Sequence, residues 1–452
     1  MTRRIVLTSV GSYGDLHPFV ATGLALKAAG FEAVIAASEE YREKVLNEGL
    51  AFHPVGPTLA QLTVDTGLDA GGIVRQVARS STIFLVEKAI VPYAEQSFEE
   101  LCEAARGADL MVASSFSIVA RLAIARLGLP SVSLLLSPCV FFSPLQPPYL
   151  MEAPWLPALG RTFGPGPVKL FKDLGRAQLG WRTRRIAGLR RHLGLPPVRG
   201  DEVLDVPLQA DWVAALYSPV LGPVPPDAPG NCEIAGFTFY DSERGEPPSL
   251  TPPLAEFMAS GPAPLVFTLG SWGVHAAGDF YESAAETARR MGRRALLLVG
   301  REAEPRLARL VSKDVFVAAY APHSLVFPRA AAVIHHGGIG TVGQALRAGR
   351  PQLICPLFGD QYDNAERLVR LGVGRRLDHK RFTAARASVA LAELLGDAMA
   401  IERCARLGVQ VAAENGAAVV AERIARMLAS PPGGGLRAAP LEPESLAGNW
   451  SE

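Results

Sequence analysis

The chain has 452 residues, 49% of them hydrophobic and 20% charged, with a formal net charge of +1 at neutral pH. At about 150 residues per domain it is too long for one ordinary core and points to two or three domains. The near-zero charge gives no reason to expect a nucleic-acid partner, no run of about 18 apolar residues is present to span a membrane, and five cysteines without CxxC spacing (Cys102, Cys139, Cys232, Cys355, Cys404) read as reduced thiols of a cytosolic protein, not a disulfide framework or zinc site.

The first element is "RRIVLTSV" (3–10), a short β-branched run that fits a strand better than a secretory signal peptide. It ends in a glycine-rich turn, "GSYGD". "HPFVATGLALKAAG" follows with helical spacing at Phe19, Leu24 and Leu26, and Gly30 closes it. "EAVIAAS" and "DLMVASS" are strands, "FSIVARLAIARLG" is a helix and "PSVSLLLS" a further strand. Such alternation implies parallel sheets in an α/β protein. Between 141 and 200 prolines cluster, as in "SPLQPPYLMEAPWLP", and Arg182, Arg184, Arg185, Arg190 and Arg191 follow with almost no acids. "YDSERGEPPSLTPP" is polar and proline-rich, as an interdomain linker is. The pattern then restarts. "APLVFTLGS" is a strand ending in a glycine turn, "DFYESAAETARRMG" a helix, and "RALLLVG" and "DVFVAAYAP" strands. "AAAVIHH" is a strand that runs into glycines, "TVGQALRAG" the helix after it, and "PQLICPL" the next strand. The residues after Ala429 have the composition of a disordered tail.

The most informative stretch is "HHGGIGT" (335–341), set between a strand and a helix. A helix N-terminus presents unpaired N–H groups and the positive end of the helix dipole, and glycines let an anion approach that backbone closely. The arrangement suits a phosphate. Two other readings stay open: glycines that only permit a tight turn, and a metal site. Against metal, adjacent histidines on an extended chain point in different directions, and no Cys, Asp or Glu stands beside them.

The longer stretch "YAPHSLVFPRAAAVIHHGGIGTVGQALRAGRPQLICPLFGDQYDNA" resembles the donor-binding signature of family 1 glycosyltransferases of the GT-B fold. It is most similar to their bacterial branch of rhamnolipid-pathway, sterol, macrolide and glycopeptide enzymes. "VLTSVGSYGDLHP" and "PLVFTLGS" extend the likeness over most of the chain except the middle insert and the tail. The resemblance implies an α/β fold of two Rossmann-like domains facing each other across a cleft. An acceptor-binding domain would span 1–239, with the 141–200 insert over the acceptor pocket, then a linker at 240–262, a nucleotide-sugar-binding domain at 263–429 and the tail at 430–452. It implies that Tyr320 stacks on the nucleotide base, that Ala321 contacts the base through its backbone, and that Ser271, after the Gly270 turn, touches a phosphate. His336 would hydrogen-bond the diphosphate beside Gly338, with Gly340 and Thr341 donating from the helix start. Gln344 stands where many members carry a glutamate for the ribose hydroxyls, and Asp360 with Gln361 would hold the sugar hydroxyls. Tyr320 as a core aromatic and Gln361 as a surface side chain remain the bland alternatives. His335 is read as structural, pointing away from His336 into interdomain packing.

Transfer to a hydroxyl needs a base within reach. Asp15 and His17 both lie at the tip of the first strand, where ligands gather in open α/β sheets. Asp15 holds the position after glycine that carries the base in the family, so it is favoured over His17. The aspartate partner that plant members supply is missing: "VASSF" offers Ser114 and Ser115 instead. The chain has no DxD motif, so no metal and no cofactor are expected.

These readings combine into an inverting, metal-independent hexosyltransferase. It would move glucose or rhamnose from a UDP- or dTDP-sugar to a lipophilic or aromatic small molecule. Phe141, Phe142, Tyr149 and Trp155 are the candidate acceptor contacts, and ordinary core packing explains any one of them equally well. The Arg182 to Arg191 stretch leaves a carboxylated acceptor or weak peripheral membrane contact open, with a solvated helix face as the plainer reading. A non-catalytic nucleotide-sugar-binding protein and a GT-B sugar-nucleotide epimerase are the competing functions. Acceptor identity and oligomeric state are not written in the sequence.

Overall fold

The computed structural model describes residues 2–80, 82–242, 245–301 and 303–429. The expected tail, 430–452, lies outside them. Among the described residues the strands form two parallel sheets. The first contains β1 (Arg4–Thr8), β2 (Glu32–Ala37), β3 (Ala51–Pro54), β4 (Leu110–Ser114), β5 (Ser131–Leu135), β6 (Trp212–Ala215) and β7 (Cys232–Ile234), in the order β3-β2-β1-β4-β5-β6-β7. The second contains β8 (Leu265–Thr268), β9 (Ala295–Leu298), β10 (Val315–Ala318), β11 (Ala332–His335), β12 (Gln352–Ile354) and β13 (Gly374–Arg376), in the order β10-β9-β8-β11-β12-β13. Helices cover both faces of a parallel sheet, so its central strands read as unbroken apolar runs. Ile5, Val6 and Leu7 of β1 and Val333 and Ile334 of β11 are fully buried.

Both sheets share one consequence. Their strand order reverses between the first and fourth strands, β1/β4 in one and β8/β11 in the other. Connections there leave in opposite directions and open a crevice beyond the carboxyl ends of the strands. Asp15 follows β1, Ser271 follows β8 and His336 follows β11. Parallel α/β topology alone therefore puts all three at switch points.

The first helix, Tyr13–Ala28, starts earlier than the sequence suggests, inside "GSYGD". Ser12 is its N-cap, and the Asp15 carboxylate reaches back to the Ser12 N–H at 2.7 Å. This is a capping box, so the segment read as a turn is the helix's first turn. The proline-rich stretch expected as linker also holds a helix, Pro252–Ala259, whose Leu254, Phe257 and Met258 pack against Val266, Leu296 and Leu298 of the second sheet. Two prolines at the first helical positions lose no hydrogen bond, which explains why "PP" opens this helix instead of barring it.

The two halves are tied together. The last helix, Gly416–Ala429, returns to the N-terminal core, where Val420, Ala421 and Ile424 join Ile5, Leu7 and Phe19. Helix Gln361–Arg370 faces the other way across the cleft. Its Asp363 accepts the Tyr149 N–H at 2.9 Å, its Arg367 donates to the Leu221 carbonyl at 2.8 Å, and its Asn364 accepts from the Ser137 hydroxyl at 3.1 Å.

Candidate active site

β11 delivers two histidines with opposite fates. His335 is fully buried within its own sheet. The Gly337 N–H donates to its Nδ1 at 3.1 Å, so the proton sits on Nε2, which faces the Gln352 amide oxygen at 2.9 Å. It is structural, as expected, but it packs against β12 and not into the domain interface. His336 lies nearly perpendicular to it, at 86°.

The His336 ring is caged by glycines. A Cβ on Gly338 would stand 2.3 Å from its Nε2, and one on Gly270 2.6 Å from its Cε1. No side chain larger than hydrogen fits at either place without moving the ring. Gly270 also has φ +69°, a conformation glycine adopts without strain. His336 is 9% exposed, and its Nδ1 is buried with no protein partner. Burial, then the neighbouring His335 and His323, pushes its pKa down to about 3, so the imidazole is neutral. A buried polar atom left unpaired costs free energy. A polar atom left in this state is available to a ligand.

Helix Ile339–Arg347 begins immediately after, with Gly338 as its N-cap and no side-chain cap. Its first N–H groups, among them those of Gly340 and Thr341, therefore point toward the cleft beside His336. Gln344, one turn on, is 6% exposed, and its Oε1 is a second buried polar atom with no partner. Ser271 is exposed beyond Gly270. Ala321 is buried, while Tyr320 is half-buried with its hydroxyl 3.4 Å from the Asp241 carbonyl.

Asp360 and Gln361 behave differently from each other. Gln361 accepts the Leu357 and Phe358 N–H groups at 2.9 and 3.2 Å, so its amide oxygen shapes the loop after β12. Asp360 accepts from Asn364 at 2.9 Å, and its pKa is pushed up to about 6, chiefly by burial and secondarily by the Asp15 charge. Asp15 of one domain and Asp360 of the other are thus within electrostatic reach of each other.

Asp15 and His17 are two residues apart on a helix and so face nearly opposite ways. The Asp15 carboxylate is held by the Ser12 N–H and hydroxyl, at 2.7 and 3.1 Å. Burial still raises its pKa. His17 turns toward the aromatic rings of Tyr13 and Tyr240, 5.7 and 4.9 Å away. Burial, then the Lys44 and His323 charges, pushes its pKa down to about 3. Ser114, where a dyad aspartate would stand, bonds Ser117 at 2.9 Å.

The four acceptor candidates are not brought to one pocket. Phe141 is core, packed with Leu135, Val213 and Tyr217. Tyr149 lies against Arg376 of the second domain, whose guanidinium stands 4.7 Å from its ring centroid. Phe142 and Trp155 both contact Phe171 of the insert. A cavity of about 440 Å³ opens beside Phe141 and is lined also by Lys172, Arg176 and Asp227, but by none of the donor-site candidates. Sequence reasoning missed Asn364. Fully buried, it donates to the Gly337 carbonyl and to Asp360 and accepts from Ser137. One side chain thus joins the glycine turn, Asp360 and the opposite domain. Among the described residues no group of three or more His, Cys, Asp or Glu is placed to hold a metal, and no helix is long and apolar enough to cross a membrane.

Comparison with known proteins agrees with this fold. The glycosyltransferase family 28 N-terminal domain model matches residues 5–131, and the erythromycin biosynthesis protein CIII-like C-terminal domain model matches residues 294–427. The chain is 33% identical over 428 residues to O-mycaminosyltylonolide 6-deoxyallosyltransferase of Streptomyces fradiae, covering 91% of this chain and 94% of that protein. It is 30% identical to vancomycin aglycone glucosyltransferase of Amycolatopsis orientalis, covering 82% and 85%. Among solved structures, the calicheamicin glycosyltransferase CalG4 superposes with a TM-score of 0.68 at 19% identity, over 95% of this chain and 98% of that one. The spinosyn rhamnosyltransferase SpnG complexed with thymidine diphosphate gives 0.61 at 20%, over 94% and 100%.

Proposed function

Because the chain belongs to the GT-B family 1 glycosyltransferases, we propose that it moves a hexose, glucose or rhamnose, from a UDP- or dTDP-sugar to a hydroxyl of a lipophilic small molecule with inversion at the anomeric carbon. Sugar transfer to a small-molecule acceptor follows from the family. The nucleotide, the sugar, the stereochemistry and the residue roles are our reading. The observation that carries it is His336, a neutral imidazole caged by Gly270 and Gly338 with a buried nitrogen that no protein group satisfies.

In this reading the diphosphate lies across His336 and the free N–H groups of helix Ile339–Arg347, donors fixed in advance where negative charge grows as the nucleotide departs. Asp360 and the remaining amide protons of Gln361 meet sugar hydroxyls. Asp15 takes the proton of the acceptor hydroxyl as that oxygen attacks from the face opposite the diphosphate. A raised pKa makes Asp15 a better proton acceptor than an exposed carboxylate. His17, neutral and packed against the tilted rings of Tyr13 and Tyr240, is left to line the cleft.

The test is a transfer assay against a panel of hydroxylated lipophilic acceptors with UDP-glucose and dTDP-rhamnose, followed by NMR assignment of the product's anomeric configuration. Inversion is expected. A retained configuration would contradict the single displacement and point to a carboxylate acting as nucleophile. Donor hydrolysis indifferent to every acceptor would favour a binding protein or an epimerase. The fixed donors also make a divalent ion unnecessary, so the rate should hold in excess EDTA. A collapse rescued by Mg²⁺ or Mn²⁺ contradicts this.

Gln344 bears on the donor. Its unpaired Oε1 is neutral and accepts a hydrogen bond more weakly than a carboxylate would. A deoxyribose has no 2′-hydroxyl to satisfy a glutamate, and glutamine tolerates that loss better. dTDP should therefore bind at least as well as UDP, and Gln344→Glu should shift preference toward UDP by about 1 kcal/mol. Competition of the two nucleotides in parent and variant decides it, and a strong UDP preference in the parent refutes the donor argument alone.

A further inference from the structure

The insert between β5 and β6 folds into three consecutive helices, Leu156–Phe163, Pro165–Arg182 and Arg184–His192. The middle one is amphipathic in an unusual sense. Its inner face is spent on the protein: Val168 is fully buried and Lys172 nearly so. Its outer face is also apolar. Leu170, Leu174 and Trp181 are spaced i, i+4 and i+11, so they fall on one line along the helix. They are 62%, 63% and 63% exposed, and Phe163, the last residue of the preceding helix, is 69% exposed.

Charge frames this line. From residue 156 to 192 nine Lys and Arg stand against one acid, Asp173, in a chain whose net charge is only +1. Some of the nine are spent inside the fold, as Arg190 is on Glu202. Arg161 at one end of the line and Arg184 and Arg185 at the other are exposed. The Arg184 guanidinium sits 4.8 Å from the Trp181 ring centroid.

We propose that this helix is a docking face for an anionic lipid surface, with Phe163, Leu170, Leu174 and Trp181 entering the headgroup boundary and the flanking arginines meeting lipid phosphates and carboxylates. Aromatic and aliphatic residues along one face with Arg and Lys beside them are what an interfacial helix needs. Charge complementarity singles out this occupant. Two copies of the chain paired through this face would set strongly basic surfaces against each other, whereas an anionic leaflet attracts them. The inference does not depend on the proposed activity.

The test is flotation of the full chain with phosphatidylcholine vesicles, with and without phosphatidylserine, read beside analytical ultracentrifugation. Binding is expected only with phosphatidylserine, weakening as salt rises and accompanied by a blue shift of tryptophan fluorescence. The double substitution Leu174→Glu/Trp181→Glu should reduce partitioning by at least about tenfold, and so should Arg184→Glu/Arg185→Glu. All four positions are exposed, so the melting temperature should not move. The proposal is overturned by absence of phosphatidylserine-dependent binding, or by binding that these substitutions leave unchanged. A concentration-dependent dimer that Leu174→Glu/Trp181→Glu dissolves, without lipid binding, would make the face a subunit contact instead.

Discussion

Asp15→Asn should leave a protein that binds donor nucleotide normally and transfers almost no sugar. The substitution keeps size and shape, and the asparagine amide oxygen can still accept the Ser12 N–H that the carboxylate accepts at 2.7 Å, so the helix start survives. What disappears is the proton acceptor, and loss of a general base typically costs about 10²–10⁴-fold in rate. The sign of the pH dependence follows from burial. The folded-state pKa of Asp15 is raised, so the folded protein holds that proton more tightly than the unfolded chain does. The neutral form is favoured by folding, and that contribution is lost as pH rises through the raised pKa. Transfer runs the other way and falls as pH drops through the same value. Near neutral pH Asp15→Asn should thus be inactive yet no less heat-stable than the parent, a trade expected of a strained functional carboxylate. Full activity in Asp15→Asn together with its loss in His17→Ala would reverse the assignment.

His336→Ala should weaken binding of UDP and dTDP by about 1.5–3 kcal/mol, the worth of a hydrogen bond to a charged group, which is roughly 10- to 150-fold in Kd. Calorimetry reads this directly. The cage provides a second route to the same loss. Gly338→Ala would bring a methyl to 2.3 Å from Nε2 and force the ring aside, although every polar group is still present. Similar weakening in both variants would separate the position of the imidazole from its mere presence. Unchanged affinity in both would return the glycine stretch to an ordinary tight turn.

The central strands were legible because burial on both faces leaves β-branched and aliphatic runs such as "IVL" and "VI" that no surface strand needs. β3, β6, β7 and β13 were not, because "AFHP", "CEI" and "GRR" lack such a run and "WVAA" carries a single β-branched residue. The glycines of "GSYGD" hid the true start of the first helix, because they read as a turn, but Ser12 and Asp15 already carried the spacing of a capping box, which was the available signal. At the glycine turn the order of glycines and histidines gave the position, and the fold then separated the two rings: His335 by a partner on the neighbouring strand, His336 by a buried Nδ1 that has none. Asn364 gave no signal, since an asparagine four residues after Asp360 reads as helix surface until the opposite domain is in place. The acceptor aromatics show the limit of composition. It names lipophilic side chains, but it cannot say which of them meet, and Phe141, Tyr149 and Trp155 go to three different surroundings.

A crystal structure of the chain with dTDP tests the central claim most directly. The account predicts the diphosphate in the cleft between the two sheets, with a phosphate oxygen within hydrogen-bond distance of the His336 imidazole and of N–H groups at the start of helix Ile339–Arg347. A nucleotide bound elsewhere, for instance in the cavity lined by Lys172 and Arg176, with His336 Nδ1 still unpartnered, would contradict it.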